Sequence, residues 1–137
     1  MISLILLNSL KNIENATTEF QGLRFAALPA IFIYAVFNTS FPEEVLFRGF
    51  ILKRLANKLG FTKANFIQGL LFGLLHGVMF FPIVGNLKTI LIILLTSLAA
   101  FAMGYVNEEI SGGSIIPSWI IHAISNLIAG LYAAFYI

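Results

Sequence analysis

Two adjacent carboxylates followed by an arginine are the side chains of this chain with the clearest capacity for chemistry. Glu43 and Glu44 precede Arg48 inside an otherwise apolar stretch. Residues four apart share a helix face, so Arg48 can neutralise Glu44 and leave Glu43 to transfer protons. A charged group in hydrocarbon costs about 2.5 to 3.5 kcal/mol, and by default such groups are functional and face the interior of a helix bundle.

Two histidines supply the remaining groups that a hydrolytic centre needs. His76 lies four residues after Phe72, and Asn126 lies four residues after His122, so each pair shares a helix face. Glu43 can take a proton from water, while His76 holds that water or protonates the leaving amine. His122 and Asn126 can donate hydrogen bonds to the oxyanion of a tetrahedral intermediate. The alternative is zinc held by His76, His122 and Glu43, although the chain has no H-E-x-x-H motif.

The composition places these groups in a membrane protein. Of the 137 residues, 59% are hydrophobic and 10% are charged, and the mean hydropathy is +0.95. Ordinary soluble chains are only about half apolar. The absence of cysteine excludes disulfides and thiolate sites, and a net charge of +2 gives no support for nucleic-acid binding. We therefore expect an integral membrane protein in contact with lipid.

Prolines and glycines divide the apolar sequence into predicted helices. We expect an interfacial N-terminal arm at residues 1–23 and a single helical membrane domain at residues 24–137. Pro42 is predicted to end the first span, because the residue before a proline avoids the α region. A separate amphipathic helix then begins at Glu43, partly embedded in the membrane, and ends at Gly60.

Three further spans are predicted after this amphipathic helix. They cover about residues 62–81, 87–106 and 114–136. The first two are separated by the short loop 82–86, which Pro82 opens, and the last two by the turn 107–113. The predicted fold is all-α and polytopic, with about four transmembrane helices plus the amphipathic helix that carries the two glutamates. The basic loop 53–63 is expected in the cytoplasm by the positive-inside rule. Gly69 and Gly73 have the G-x-x-x-G spacing of closely packed helices.

Three motifs in a fixed order carry a resemblance to a known family. Glu43–Arg48 has the form E-E-x-x-x-R, Phe72–His76 the form F-x-x-x-H, and His122–Asn126 the form H-x-x-x-N. Together, each in an apolar context, they resemble the CPBP intramembrane protease family, which includes CAAX prenyl endopeptidases and bacteriocin-immunity (Abi) proteins. The resemblance extends over most of the chain, from Phe41 to Leu127.

The resemblance implies an intramembrane endopeptidase that hydrolyses a peptide bond near the membrane surface. It implies a peptide or protein substrate, a bacterial or archaeal cell membrane, and no required cofactor, with zinc as the alternative. A second copy or another membrane protein is an expected partner. Two other functions stay open: a bacteriocin self-immunity protein and a non-catalytic scaffold for a partner helix. In the enzymatic reading the water-activating residue is Glu43, its partners are Glu44 and Arg48, the second catalytic group is His76, and the oxyanion side is His122 with Asn126.

Overall fold

Three long helices account for most of the chain that the computed structural model describes, which is residues 18–136. Helix α1 is Arg24–Leu59, helix α2 is Phe61–Ile110 and helix α3 is Ile116–Tyr136. Each is long and apolar enough to cross a membrane, and residues 18–136 contain no β-strand. The all-helical prediction is confirmed. The structure shows three such helices, and the predicted number of about four transmembrane helices is not confirmed. Most of the predicted N-terminal arm lies outside the described residues.

Helix α1 continues through Pro42, where the sequence predicts a boundary between two helices. Wider π-helical turns lie on both sides of the proline, at Tyr34–Ser40 and at Val45–Leu52. A π turn moves the preceding carbonyl groups away from the position where a proline ring collides with them in a regular α-helix. The predicted amphipathic helix is therefore the second half of α1, and its prediction as a separate element is wrong.

Hydroxyl side chains support the first of these π turns. Thr39 Oγ1 donates to the carbonyl of Tyr34 at 3.0 Å, and Ser40 Oγ donates to the carbonyl of Ala35 at 2.5 Å. Serine and threonine side chains commonly satisfy backbone groups where a proline interrupts a membrane helix. The polar residues before Pro42 thus help the helix to continue through the proline.

Glycines, and not the proline at position 82, set the ends of the next elements. Gly60 ends α1 with φ 78° and ψ 160°, and Gly85 interrupts α2 with φ 73° and ψ 176°. Side-chain-bearing residues rarely adopt these angles, whereas glycine does so at little cost. Pro82 remains inside the helix, and the break falls at Gly85, within the predicted loop 82–86. The prediction of two helical segments here is confirmed, and only the residue at which the first one stops is wrong. The break at Gly85 divides α2 into a first arm, 61–84, and a second arm, 86–110.

The two arms of α2 pack against each other along a row of glycines. A Cβ atom at Gly69 would lie 3.0 Å from the carbonyl oxygen of Ser97, and one at Gly73 would lie 2.6 Å from that of Ile93. Gly77 faces the Ile93 side chain in the same way. Small residues let helix backbones approach closely, which is a main source of helix association in lipid. The predicted G-x-x-x-G packing is confirmed, and its partner is the second arm of the same helix.

Buried amide side chains also join the two arms of α2. Asn65 Nδ2 donates to the carbonyl of Phe101 at 2.9 Å, and Gln68 Nε2 donates to the carbonyl of Ala100 at 3.0 Å. Gln68 Nε2 also lies 2.8 Å from Asn65 Oδ1. Both amides are fully buried. Interhelical hydrogen bonds of this kind contribute about 0.6 kcal/mol each in membrane proteins, so they add specificity to the glycine packing.

The described residues form two compact units. The Glu43–Ser118 unit contains the second half of α1, the whole of α2 and the start of α3. The terminal unit combines residues 18–42 with residues 119–136. Each unit has a small apolar core, made of Phe47, Phe72 and Ala100 in the Glu43–Ser118 unit and of Phe20, Ala27, Ile31 and Ala134 in the terminal unit.

Large apolar side chains cover the outside of the helices. Phe25 is 76% exposed, Val78 is 73% exposed and Leu87 is 83% exposed. A soluble protein rarely leaves an extended apolar surface in water, because each buried square ångström of such surface is worth about 25 cal/mol. Together with the three apolar helices, this surface identifies an integral membrane protein.

The close approach of the two α2 arms generates a stability prediction. Replacement Gly73→Ala forces the new methyl group against the backbone of Ile93, so we expect a loss of about 1 to 3 kcal/mol in the free energy of unfolding. Gly49→Ala is the matched control, because its Cβ would meet Glu44 O at an ordinary 3.8 Å. Unfolding in mixed detergent micelles measures both variants, and equal stability of the two would contradict the packing.

Candidate active site

A fully buried ion pair occupies the middle of helix α1. Arg48 Nη1 lies 3.0 Å from Glu44 Oε1, and both side chains have zero exposure. The two residues are one turn apart, as the spacing predicts. Burying one charge alone is costly, and a well-placed opposite charge offsets that cost. The pair therefore stabilises two charged groups in an otherwise apolar helix.

A serine and an asparagine complete the surroundings of Glu44. Ser118 Oγ donates to Glu44 Oε2 at 2.5 Å. Asn107 Nδ2 donates to Ser118 Oγ at 2.7 Å, and the Ser118 backbone N–H donates to Asn107 Oδ1 at 3.2 Å. Both residues are fully buried. One carboxylate oxygen of Glu44 thus accepts a hydrogen bond from Ser118 and the other pairs with Arg48, so this side chain is held on two sides.

Sequence reasoning did not identify Asn107 and Ser118 as site residues. It predicts a turn that begins at Asn107, whereas α2 continues through the π turn Val106–Ile110. The buried hydrogen bonds of the Asn107 side chain stabilise this extension of the helix. One signal was present in the sequence: Ser118 lies four residues before His122, so the two share a helix face.

The acidic residues at the end of α2 fall within the predicted turn 107–113. Glu108 is instead helical, and its Oε1 lies 3.7 Å from Lys53 Nζ. Lys53 Nζ also donates to the carbonyl of Gly113 at 2.6 Å. Lys53, predicted as part of a basic cytoplasmic loop, therefore links α1 to the segment between α2 and α3. The side of the membrane on which this region lies stays a prediction.

Phe72 connects the first two motifs through its ring. The Arg48 Cζ atom lies 4.5 Å from the ring centroid of Phe72, and the Phe47 ring meets it edge-on at 4.9 Å. The centroid of the His76 ring lies 4.4 Å from the centroid of the Phe72 ring. A guanidinium near an aromatic ring gains about 0.5 to 2 kcal/mol when it is desolvated. The phenylalanine of F-x-x-x-H therefore contacts both the arginine and the histidine.

The hydrogen bond of His76 indicates which of its ring nitrogens carries a hydrogen in the neutral ring. Its Nδ1 lies 2.9 Å from the carbonyl oxygen of Phe72. A carbonyl only accepts, so Nδ1 carries the hydrogen, and in the neutral ring Nε2 is then the acceptor. His76 is partly buried. It can therefore accept a hydrogen bond through Nε2 from a water molecule or a substrate group.

Glu43 differs from its neighbour Glu44 in its surroundings. Adjacent residues on a helix point in different directions, and Glu43 is only partly buried whereas Glu44 is fully buried. The structure brings Glu44, Arg48, Phe72 and His76 into one series of contacts within the Glu43–Ser118 unit. Glu43 belongs to the same unit and to the same turn of α1 as Glu44.

The third motif belongs to the terminal unit. His122 is partly buried on α3. Asn126 Nδ2 donates to Thr39 Oγ1 at 2.9 Å and lies 3.1 Å from Ser40 Oγ. The asparagine of H-x-x-x-N therefore bonds the hydroxyl residues of the π turn before Pro42. Its predicted role toward an oxyanion, and that of His122, stay predictions.

The metal alternative requires three suitable side chains close together. Across residues 18–136 no three His, Asp or Glu side chains form a group that could hold a metal ion. Participation of zinc stays a prediction, and no step below depends on it.

The contacts of Phe72 generate a second stability prediction. Phe72→Leu removes the edge-on contact with Phe47 and the contact with Arg48, so we expect a loss of about 1 to 3 kcal/mol in the free energy of unfolding. Phe66→Leu is the matched control on the same arm, because Phe66 is 65% exposed. The measurement is again unfolding in mixed micelles, and a larger loss for Phe66→Leu would disprove the role given to Phe72.

Comparison with known protein families supplies an independent assignment. Residues 25–128 match the family described as type II CAAX prenyl endopeptidase Rce1-like. This segment contains all three motifs, from Glu43–Arg48 to His122–Asn126. Searches of curated proteins and of solved structures gave no significant match. Because the match covers more than half of the 137 residues, this chain belongs to the Rce1-like family of type II CAAX prenyl endopeptidases.

Proposed function

We propose that this protein is an intramembrane endopeptidase that hydrolyses a peptide bond near the membrane surface with a water molecule activated by Glu43. One observation carries the proposal: Glu44 has Arg48 at one carboxylate oxygen and Ser118 at the other. Glu44 is thus a fixed anion, and the task of proton transfer falls to the adjacent carboxylate. The family membership supports the reaction class.

The proposed reaction consumes one water molecule. The Glu43 carboxylate takes a proton from water while the water oxygen bonds to the carbonyl carbon of the scissile amide. The carbonyl π electrons move onto its oxygen and form an oxyanion. When the oxyanion collapses, the C–N bond breaks, and the proton held by Glu43 passes to the leaving nitrogen. The products are a carboxylic acid and an amine, and Glu43 returns to its starting state.

The histidines and Asn126 take supporting roles in this proposal. His76 accepts a hydrogen bond from the attacking water at Nε2, because its Nδ1–H is already given to the carbonyl of Phe72. The resemblance assigns the oxyanion to His122 and Asn126. Asn126 Nδ2 lies within hydrogen-bonding distance of Thr39 and Ser40. To serve an oxyanion, Asn126 has to exchange one of these contacts for the substrate.

The substitution Glu43→Gln tests the proposed base directly. It keeps the size of the side chain but removes its ability to take a proton, so we expect cleavage to fall by about 10² to 10⁴-fold. Glu109→Gln is the control, because Glu109 is exposed on the last turn of α2. The assay follows cleavage of a prenylated and of a non-prenylated CAAX-type peptide by protein reconstituted in lipid vesicles. Full activity of Glu43→Gln would refute the glutamate mechanism.

The same assay with added chelator distinguishes the glutamate mechanism from a metal-dependent mechanism. Loss of activity in Glu43→Gln combined with no effect of chelator supports the water activated by Glu43. Loss with chelator, restored by added zinc, points instead to a metal held by His76, His122 and Glu43. An immunity or scaffold function would show as cell protection or partner binding that survives Glu43→Gln.

A further inference from the structure

Ser118 and Asn107 form a chain of hydrogen bonds that ends on Glu44. Asn107 Nδ2 can only donate, so the oxygen of Ser118 accepts from it. The single hydroxyl hydrogen of Ser118 then points to Glu44 Oε2, 2.5 Å away, in preference to the carbonyl of Ile115 at 3.1 Å. The direction of every hydrogen in this chain follows from the donors and acceptors present.

This chain of hydrogen bonds has a definite effect on Glu44. Its carboxylate accepts from Ser118 at one oxygen and pairs with Arg48 at the other. Hydrogen bonds to an ionised group are stronger than those between neutral groups, and a short O–H···O⁻ distance is typical of them. A buried carboxylate oxygen that loses its donor is costly, so removal of the Ser118 hydroxyl is expected to make Glu44 and Arg48 rearrange.

The movement of this pair bears on catalysis through the neighbours of both residues. Glu44 is adjacent to Glu43 in the chain, and Arg48 packs on the ring of Phe72, which also contacts His76. A rearrangement at Glu44 therefore reaches the proposed base through the backbone and the proposed water-binding histidine through one aromatic ring. Misplacement of reacting groups by about 1 Å can reduce a rate by about 10²-fold.

We propose that Ser118 and Asn107 are positioning residues of the hydrolytic site. They hold Glu44 in the orientation that keeps Arg48 on Phe72 and leaves proton transfer to Glu43. This inference rests on the proposed peptidase function. It extends the site beyond the three motifs, to the end of α2 and the first turn of α3.

A double-mutant cycle between Ser118 and Glu44 tests the proposal. The variants are Ser118→Ala, Glu44→Gln and the combination, assayed for kcat and KM in vesicles with the peptides above. We expect Ser118→Ala to lower kcat about tenfold or more, with a smaller change in KM. In the Glu44→Gln background the same substitution should change kcat by less than about twofold, because the two residues act as one unit.

Two further variants keep the experiment decisive. Ser125→Ala is the matched control on α3, because Ser125 Oγ donates to the carbonyl of Ile121 in its own helix and the residue is exposed. Asn107→Ala is a milder change that leaves the Ser118 hydroxyl in place. In the wild-type background it should lower kcat. When it is combined with Ser118→Ala, it should lower kcat little further.

The possible outcomes distinguish this inference from the proposed function. If Glu43→Gln abolishes cleavage but Ser118→Ala and Asn107→Ala behave like Ser125→Ala, the positioning role is refuted and the peptidase function stands. Equal effects of Ser118→Ala in both Glu44 backgrounds would also refute it, because the serine would then act independently of Glu44. No cleavage of either peptide by the wild-type protein would overturn the proposed function and this inference together.

Discussion

The burial of Glu44 is the constraint on which the rest of the site depends. A carboxylate with zero exposure in an apolar helix is stable only when both of its oxygens have partners. Arg48 supplies one partner from the same helix, and Ser118 supplies the other across 74 positions of sequence. The buried charge therefore ties α1 to the start of α3, and Asn107 brings the end of α2 into the same arrangement.

The packing of helix α2 supports this arrangement on the side of Arg48 that contacts Phe72. Phe72 lies on the first arm among the glycines that contact the second arm, and Ala100 on the second arm packs into the same core as Phe72 and Phe47. Small residues let the two arms approach, and large aromatic residues then fill the space beside α1. The F-x-x-x-H motif thus combines a structural aromatic residue with the histidine that we propose as a water-binding group, on one helix face.

Much of the local structure was predictable because it depends on residues close in sequence. The apolar composition required helices, the four-residue spacing predicted the Glu44–Arg48 pair, and Gly69 with Gly73 predicted close packing. The predicted break at Pro42 was wrong, because π turns and hydroxyl side chains keep the backbone helical there. The predicted break at residues 82–86 is confirmed, but Gly85 and not Pro82 makes it. The break at Gly85 requires backbone angles that glycine adopts most easily.

The sequence by itself determined that the chain is an all-helical membrane protein, and its three motifs indicated the family that the comparison then showed. These properties follow from composition and from spacings of a few residues, because such spacings determine which side chains share a face of a single helix. Only the tertiary structure decided that Ser118 and Asn107 surround Glu44 and that Phe72 contacts both Arg48 and His76. Such contacts join residues far apart in the chain, and they depend on how whole helices pack rather than on the propensity of any one segment.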